Sequence, residues 1–74
     1  MKWPERGDMY RHYKGDLYVV HGIVLCDRGL RHVLYASRAE PMVPEFVQPV
    51  ERFTQTLEDH TPRFEYVQNG RFPI

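Results

Sequence analysis

The chain is short of the residues from which covalent staples and catalytic clusters are made. Cys26 is the single cysteine in 74 residues, so no internal disulfide can form and a reducing compartment is expected. Ser37 is the single serine, with no glycines around it to form a nucleophile turn, which leaves a serine hydrolase without support. Histidines stand at 12, 21, 32 and 60, but neither a C-x-x-C nor an H-x-x-x-H spacing occurs. A structural zinc site needs four converging ligands, so no metal and no cofactor is expected. Long apolar runs are missing as well. The most apolar window, Leu17 to Cys26, is interrupted by His21 and is too short to cross a bilayer. Met1 to Gly7 lacks the apolar stretch of a secretory signal. These absences together predict a cytoplasmic, non-enzymatic chain with no membrane partner.

Excess charge of either sign is also absent. Ten basic residues balance ten acidic ones, and without a net positive field the counterion release that drives general DNA binding is weak. The balance is uneven along the chain: residues 1–37 carry six basic and four acidic groups (+2), residues 38–74 four and six (−2). A local basic patch is therefore allowed.

What is present is enough apolar and aromatic material for a core, at 42% and 14% of the residues. A chain of this size forms one small domain, read here as 1–74, that buries roughly 60% of the surface exposed when unfolded. Domains so small often lean on a partner or on self-association. Glycines at 7, 15, 22 and 29 separate segments rich in Tyr, Val, Ile and Leu, a pattern of short strands and tight turns. A first strand is expected from Asp8 to Lys14, a second from Leu17 to Cys26 and a third from Arg31 to Ser37. Gly22 in the middle of the second strand predicts a bulge or bend. A strand bent there can serve two sheets, close a five-stranded barrel and remove exposed edges.

Arg38 to Glu45, with Pro41 and Pro44, reads as a surface loop, and its Pro-x-x-Pro spacing is common in ordinary loops. Phe46-Val47-Gln48 resumes an extended strand and Pro49 stops it. Pro49 to Phe53 reads as one 3-10 helical turn with Pro49 in its first position and Val50 and Phe53 on one side. A last strand is expected over about Arg63 to Val67. Asn69-Gly70 is a hairpin signal, but the arm beyond it is short and contains Pro73, so 68–74 is expected as a flexible tail; the alternative is a terminal strand whose Phe72 covers the barrel.

Tyr10 to Gly15, Tyr18-x-Val20-x-Gly22-Ile23, Val33-Leu34-Tyr35, Phe46 to Val50 with Phe53, and Pro62-Arg63-Phe64-Glu65 together resemble a small bacterial and phage family. It is known as a domain of unknown function, number sixteen fifty-three. The resemblance covers about residues 7–67 and implies an SH3-like barrel; it implies no activity. The fold class expected is thus all-β, a small five-stranded SH3-like barrel with one helical turn before the last strand. This chain departs from the family pattern at Val19, His21, Gln48 and Ser37-Arg38-Ala39, where the family usually has an acidic residue, an apolar one, an arginine and an Ala-Leu-Tyr run.

The segment Tyr10 to Gly15 is the foremost binding candidate. Alternation puts Tyr10, His12 and Lys14 on one side of a strand and Arg11 and Tyr13 on the other, and the sequence leaves open which side is the core. In one reading a tyrosine packs inside while His12 makes a buried hydrogen bond to a backbone carbonyl, paired with Arg63 or a strand end. In the other, the outward residues form a surface. The candidate binding residues are Arg11, His12, Tyr13, Lys14, Tyr35 and Arg63. Protein recognition through the outer surface of the barrel is the leading expectation; a nucleotide or nucleic-acid strand stacked on tyrosine and neutralised by Arg11 and Lys14 is the alternative.

Overall fold

Glycine and aspartate at the reversals fold the first half of the chain into a meander. The structure is a computed structural model and describes residues 3–67 and 71–74. β1 (Met9–His12), β2 (Leu17–Leu25) and β3 (Arg31–Ser37) are antiparallel neighbours. Gly15 N–H donates to His12 C=O at 2.7 Å and Gly29 N–H to Cys26 C=O at 2.9 Å, closing the two reversals. The first of these turns begins at His12, which is why β1 stops short of Lys14. β4 (Phe46–Pro49), α1 (Val50–Phe53) and β5 (Phe64–Tyr66) complete the chain. The strands form one sheet in the order β4-β3-β2-β1-β5. The fold is all-β and barrel-like, with a single helical turn before the last strand, as expected.

That turn is α rather than 3-10. Thr54 N–H reaches Val50 C=O, four residues back, at 3.0 Å, and only Gln55 N–H shortens to a three-residue step, onto Arg52 C=O at 3.2 Å. Pro49 is the N-cap and not the first helical residue, because as the last residue of β4 it keeps a strand value, ψ 140°. Val50 and Phe53 are buried, on one side of the turn as its spacing requires.

The predicted bulge lies between Val20 and Gly22: Val20 pairs with Tyr35 and Gly22 with Leu34, leaving His21 as the extra residue. An extra residue shifts the side-chain phase by one. Val20 and Ile23, three apart, therefore both face the core that Val33 and Tyr35 share. Gly22 sits at φ +154°, where side-chain-bearing residues are rare. His21 Nε2 donates to Pro41 C=O at 2.7 Å and so fastens the 38–45 loop to the bulge.

The core is Tyr10, Val20, Val33, Tyr35, Val50, Phe53 and Phe64. Phe53 of α1 stacks on Phe64 of β5 at 4.1 Å and meets the edges of Tyr10 and Tyr35 at 5.0 and 5.4 Å. No ladder joins β4 to β5 among the described residues. The edge-free ring expected from the sequence is instead closed by these rings, because Pro49 ends β4 and diverts the chain into α1 before a ladder to β5 could form.

A second buried layer lies on the other face. Val19 and Ala36 pair in register, point opposite to Val20 and Tyr35, and are fully buried. The N-terminal segment runs along β2 here: Gly7 N–H donates to Val20 C=O at 2.9 Å, Val20 N–H to Asp8 C=O at 2.8 Å, and Pro4 is fully buried. The Asp8 carboxylate accepts Glu5 N–H at 2.9 Å, which fixes this turn. Of the expected tail, the Asn69-Gly70 signal lies outside the described residues. Residues 71–74 add no strand; Phe72 N–H donates to Gly7 C=O at 2.7 Å, and the Arg38 guanidinium sits 4.7 Å from the Phe72 ring.

Candidate functional site

β1 presents Arg11 to solvent and Tyr10 to the core, and Tyr13 just beyond it is exposed as well, which decides the face left open by alternation. Arg11 stands opposite Glu65 and His12 opposite Phe64 across the β1–β5 ladder. Tyr13 N–H donates to Arg63 C=O at 3.0 Å and ties the end of β1 to the entry of β5. Arg11, His12 and Tyr13 share a cleft of about 160 Å³ with Thr61, Pro62 and Glu65, smaller than a typical ligand pocket.

His12 departs from the expected latch. It does not donate to a backbone carbonyl; its Nδ1 accepts the Lys14 N–H at 3.2 Å, since the tight turn aims that amide back at the ring. The ring is half-buried, 4.4 Å from Tyr13 and 5.0 Å from Phe64. Burial, then the Lys14 and Arg63 charges, hold His12 below the ordinary histidine value. Neutral His12 is the form that can accept from Lys14.

Lys14 Nζ lies 5.9 Å from the centre of the Tyr13 ring. Arg63 Nη2 donates to Gln55 Oε1 at 3.4 Å, and its Nε is buried without a partner. Lys14, Arg63 and Tyr13 are thus brought to one end of the barrel around His12. Tyr35 is not among them: it is buried, stacked on Phe46 at 5.4 Å, and its hydroxyl accepts Gln48 Nε2 at 2.9 Å. It is linked to His12 through the rings of Tyr18 and Phe64.

A second surface was not singled out by residue in the sequence. Met42, Val43, Phe46 and Val47 are all exposed, at 65, 47, 37 and 56%. They lie on β4, one end of the sheet, and on the loop that leads into it. The signal in the sequence is a pair of apolar dipeptides between Pro41, Pro44 and Pro49: Met42-Val43 reads as ordinary loop, and Phe46-Val47 reads as strand without showing that the strand lies at the edge. A larger hollow of about 620 Å³ beside Trp3, Leu30 and α1 has mainly apolar walls, with Arg31 and Glu51 its charged members. Among the described residues no group of three or more histidine, cysteine or acidic side chains is placed to hold a metal ion. No helix there is long and apolar enough to cross a membrane.

The elements from β1 to β5 coincide with a known family. The model of DUF1653, proteins of unknown function, matches residues 8–66. The chain belongs to the DUF1653 family. The DUF1653 match begins at buried Asp8 and ends on the last residue of β5, so it takes in every strand, α1, the Tyr13 end and the β4 edge. Left outside are residues 3–7, which help cover the second layer, and the tail. No curated protein and no solved structure matches the chain.

Proposed function

We propose that this DUF1653 protein is a non-enzymatic recognition module that binds another protein through the outside of its barrel. The interior is occupied by its own side chains, with Phe53, Val19, Val20 and Val33 fully buried, so chemistry is left to the surface. The observation that carries the reading is the exposed apolar run of Met42, Val43, Phe46 and Val47 at a sheet end. Exposed strand edges template pairing unless they are guarded, and here Val47 on one face and Phe46 on the other add apolar area along that edge. The strand count and helical turn suit an SH3-like barrel, and free Cys26 suits a cytoplasmic setting; both belong to this reading.

Capture by crosslinking from a lysate of the source cell, with the wild type beside a Met42→Ser/Val47→Ser variant, tests it. A stoichiometric protein recovered by the wild type and lost by the variant is expected. Repeated recovery of nothing, with light scattering showing a monomer, sinks the proposal. The nucleotide reading has one observation in its favour, the convergence of Lys14 and Arg63 on the exposed Tyr13 end, against which stand Glu65 opposite Arg11 and the neutral chain. A thermal shift with nucleotides or oligonucleotides at low salt, abolished by Arg11→Ala and Lys14→Ala, would promote it.

A further inference from the structure

Pro49 fixes the phase of the β3–β4 ladder. The cross-strand pairs are His32↔Pro49, Val33↔Gln48, Leu34↔Val47 and Tyr35↔Phe46. In an antiparallel ladder, pairs that exchange two N–H···O bonds alternate with pairs that exchange none. Proline has no N–H, so His32↔Pro49 is of the second kind. Val33↔Gln48 is then bonded, Leu34↔Val47 is not, and Tyr35↔Phe46 is bonded again. Val47 accordingly turns its N–H and C=O away from β3. Because β4 ends the sheet, both groups face outward, beside a side chain that is 56% exposed. Natural edges are usually blunted by lysine, proline or a bulge; Pro49 blunts the next outward position of β4, which leaves Val47 as the residue of that strand offering both groups.

The surroundings select the occupant. From Glu40 to Glu51 the chain carries three exposed carboxylates, Glu40, Glu45 and Glu51, and no basic residue; of the two arginines that flank this stretch, Arg38 lies over the Phe72 ring and Arg52 stands past the strand on α1. Two copies meeting edge to edge would bring like charges together, and a phosphate backbone would be repelled. A basic segment would be drawn in. The approach to the edge is also held in place, since His21 fastens Pro41 at 2.7 Å, and a pre-ordered loop lowers the entropic cost of docking. We infer that β4 receives an extended segment of another protein, apolar at its centre and flanked by lysine or arginine, through the main-chain N–H and C=O of Val47. This rests on the protein-recognition reading above and assigns its site and its partner's chemistry.

The test is an NMR titration of the full chain with two synthetic peptides. One alternates valine and threonine between paired lysines; the other replaces the lysines with glutamates. In the free protein the Val47 amide should exchange quickly with solvent and the Gln48 amide slowly. The lysine peptide should move the Val47 amide most and slow its exchange, and the glutamate peptide should bind at least about tenfold more weakly. Val47→Pro deletes an outward N–H and no ladder bond, so it should fold with nearly unchanged Tm yet lose about tenfold or more in affinity. Gln48→Pro deletes a ladder bond and should lower Tm. Slow exchange of Val47 in the free protein, full affinity in Val47→Pro, or equal binding of the glutamate peptide would overturn the inference. Shifts centred on Tyr13 and Arg63 would also overturn it while leaving protein recognition standing. With neither peptide binding up to about 1 mM it falls too, and the broader reading falls only if lysate capture also fails.

Discussion

Tyr10 shows what burial does to a single ionisable group. Its hydroxyl is pushed up to about 12, first by burial and then by the negative charges of Asp8, Tyr66 and Glu5. In the unfolded chain it ionises near 10. Between these values the unfolded state sheds a proton that the folded state keeps, so stability is whole below about pH 10 and falls as pH rises toward 12. Tyr18, raised for the same leading reason, adds to the loss. Chemical denaturation at stepped pH should show this decline, and Tyr10→Phe should flatten part of it. His12 works in the opposite sense at the acid end. Its value is depressed, so the unfolded chain takes up a proton below about 6.5 that the folded chain refuses, and stability contributed above that pH is lost on acidification. In an NMR titration His12 should be protonated at lower pH than an ordinary histidine, and the Lys14 amide should shift with it. Phe53 carries the packing counterpart. It is fully buried and touches Tyr10, Tyr35 and Phe64, so Phe53→Ala should cost about 3–5 kcal/mol and leave a far-ultraviolet melt with little folded baseline.

At the scale of elements, much was legible because turns are local chemistry. Glycine with a polar neighbour at 15 and 29 set the meander, and the third strand, Arg31 to Ser37, matches β3 residue for residue. Pro49 marked the change from strand to helical turn, although its own backbone belongs to the strand side. The bulge was legible as a glycine in a strand, but not the identity of the extra residue, since His21 is placed by the pairing of Val20 with Tyr35 and of Gly22 with Leu34. The Tyr10 to Gly15 segment could be singled out, while its buried face could not, for both faces mix an aromatic with a polar group and only β5 and α1 decide between them. Tyr35 looked like any strand tyrosine; its burial depends on Phe46, Phe53 and Phe64 converging on it. The bulge gives a clear prediction. Nothing lies within 4 Å of a side chain added at Gly22, so Gly22→Ala meets backbone strain alone and should cost about 1–2 kcal/mol, read as a drop in the urea midpoint at constant slope.

Across the whole molecule, the two faces of the sheet are stabilised differently. One is a ring-packed core; the other is sealed by residues 3–8 together with the tail, a layer that alternation alone could not announce because it depends on distant stretches of chain. Gly7 sits at φ +91°, and a side chain there would come within 3.0 Å of the Phe72 carbonyl oxygen. Gly7→Ala should therefore cost more than Gly22→Ala, about 2–3 kcal/mol, and in NMR spectra should disturb Phe72 as well as residue 7.

The bond from Phe72 to Gly7 also means that the stretches around these two residues, far apart in sequence, lie side by side. A short linker could join a chain ending after Phe72 to one starting before Gly7, and new termini could be opened in the Asp27–Leu30 reversal, whose residues are exposed. Such a circular permutant keeps every strand neighbour while reordering the chain, so it should fold to the same sheet, with β2 and β3 now at opposite ends of the gene.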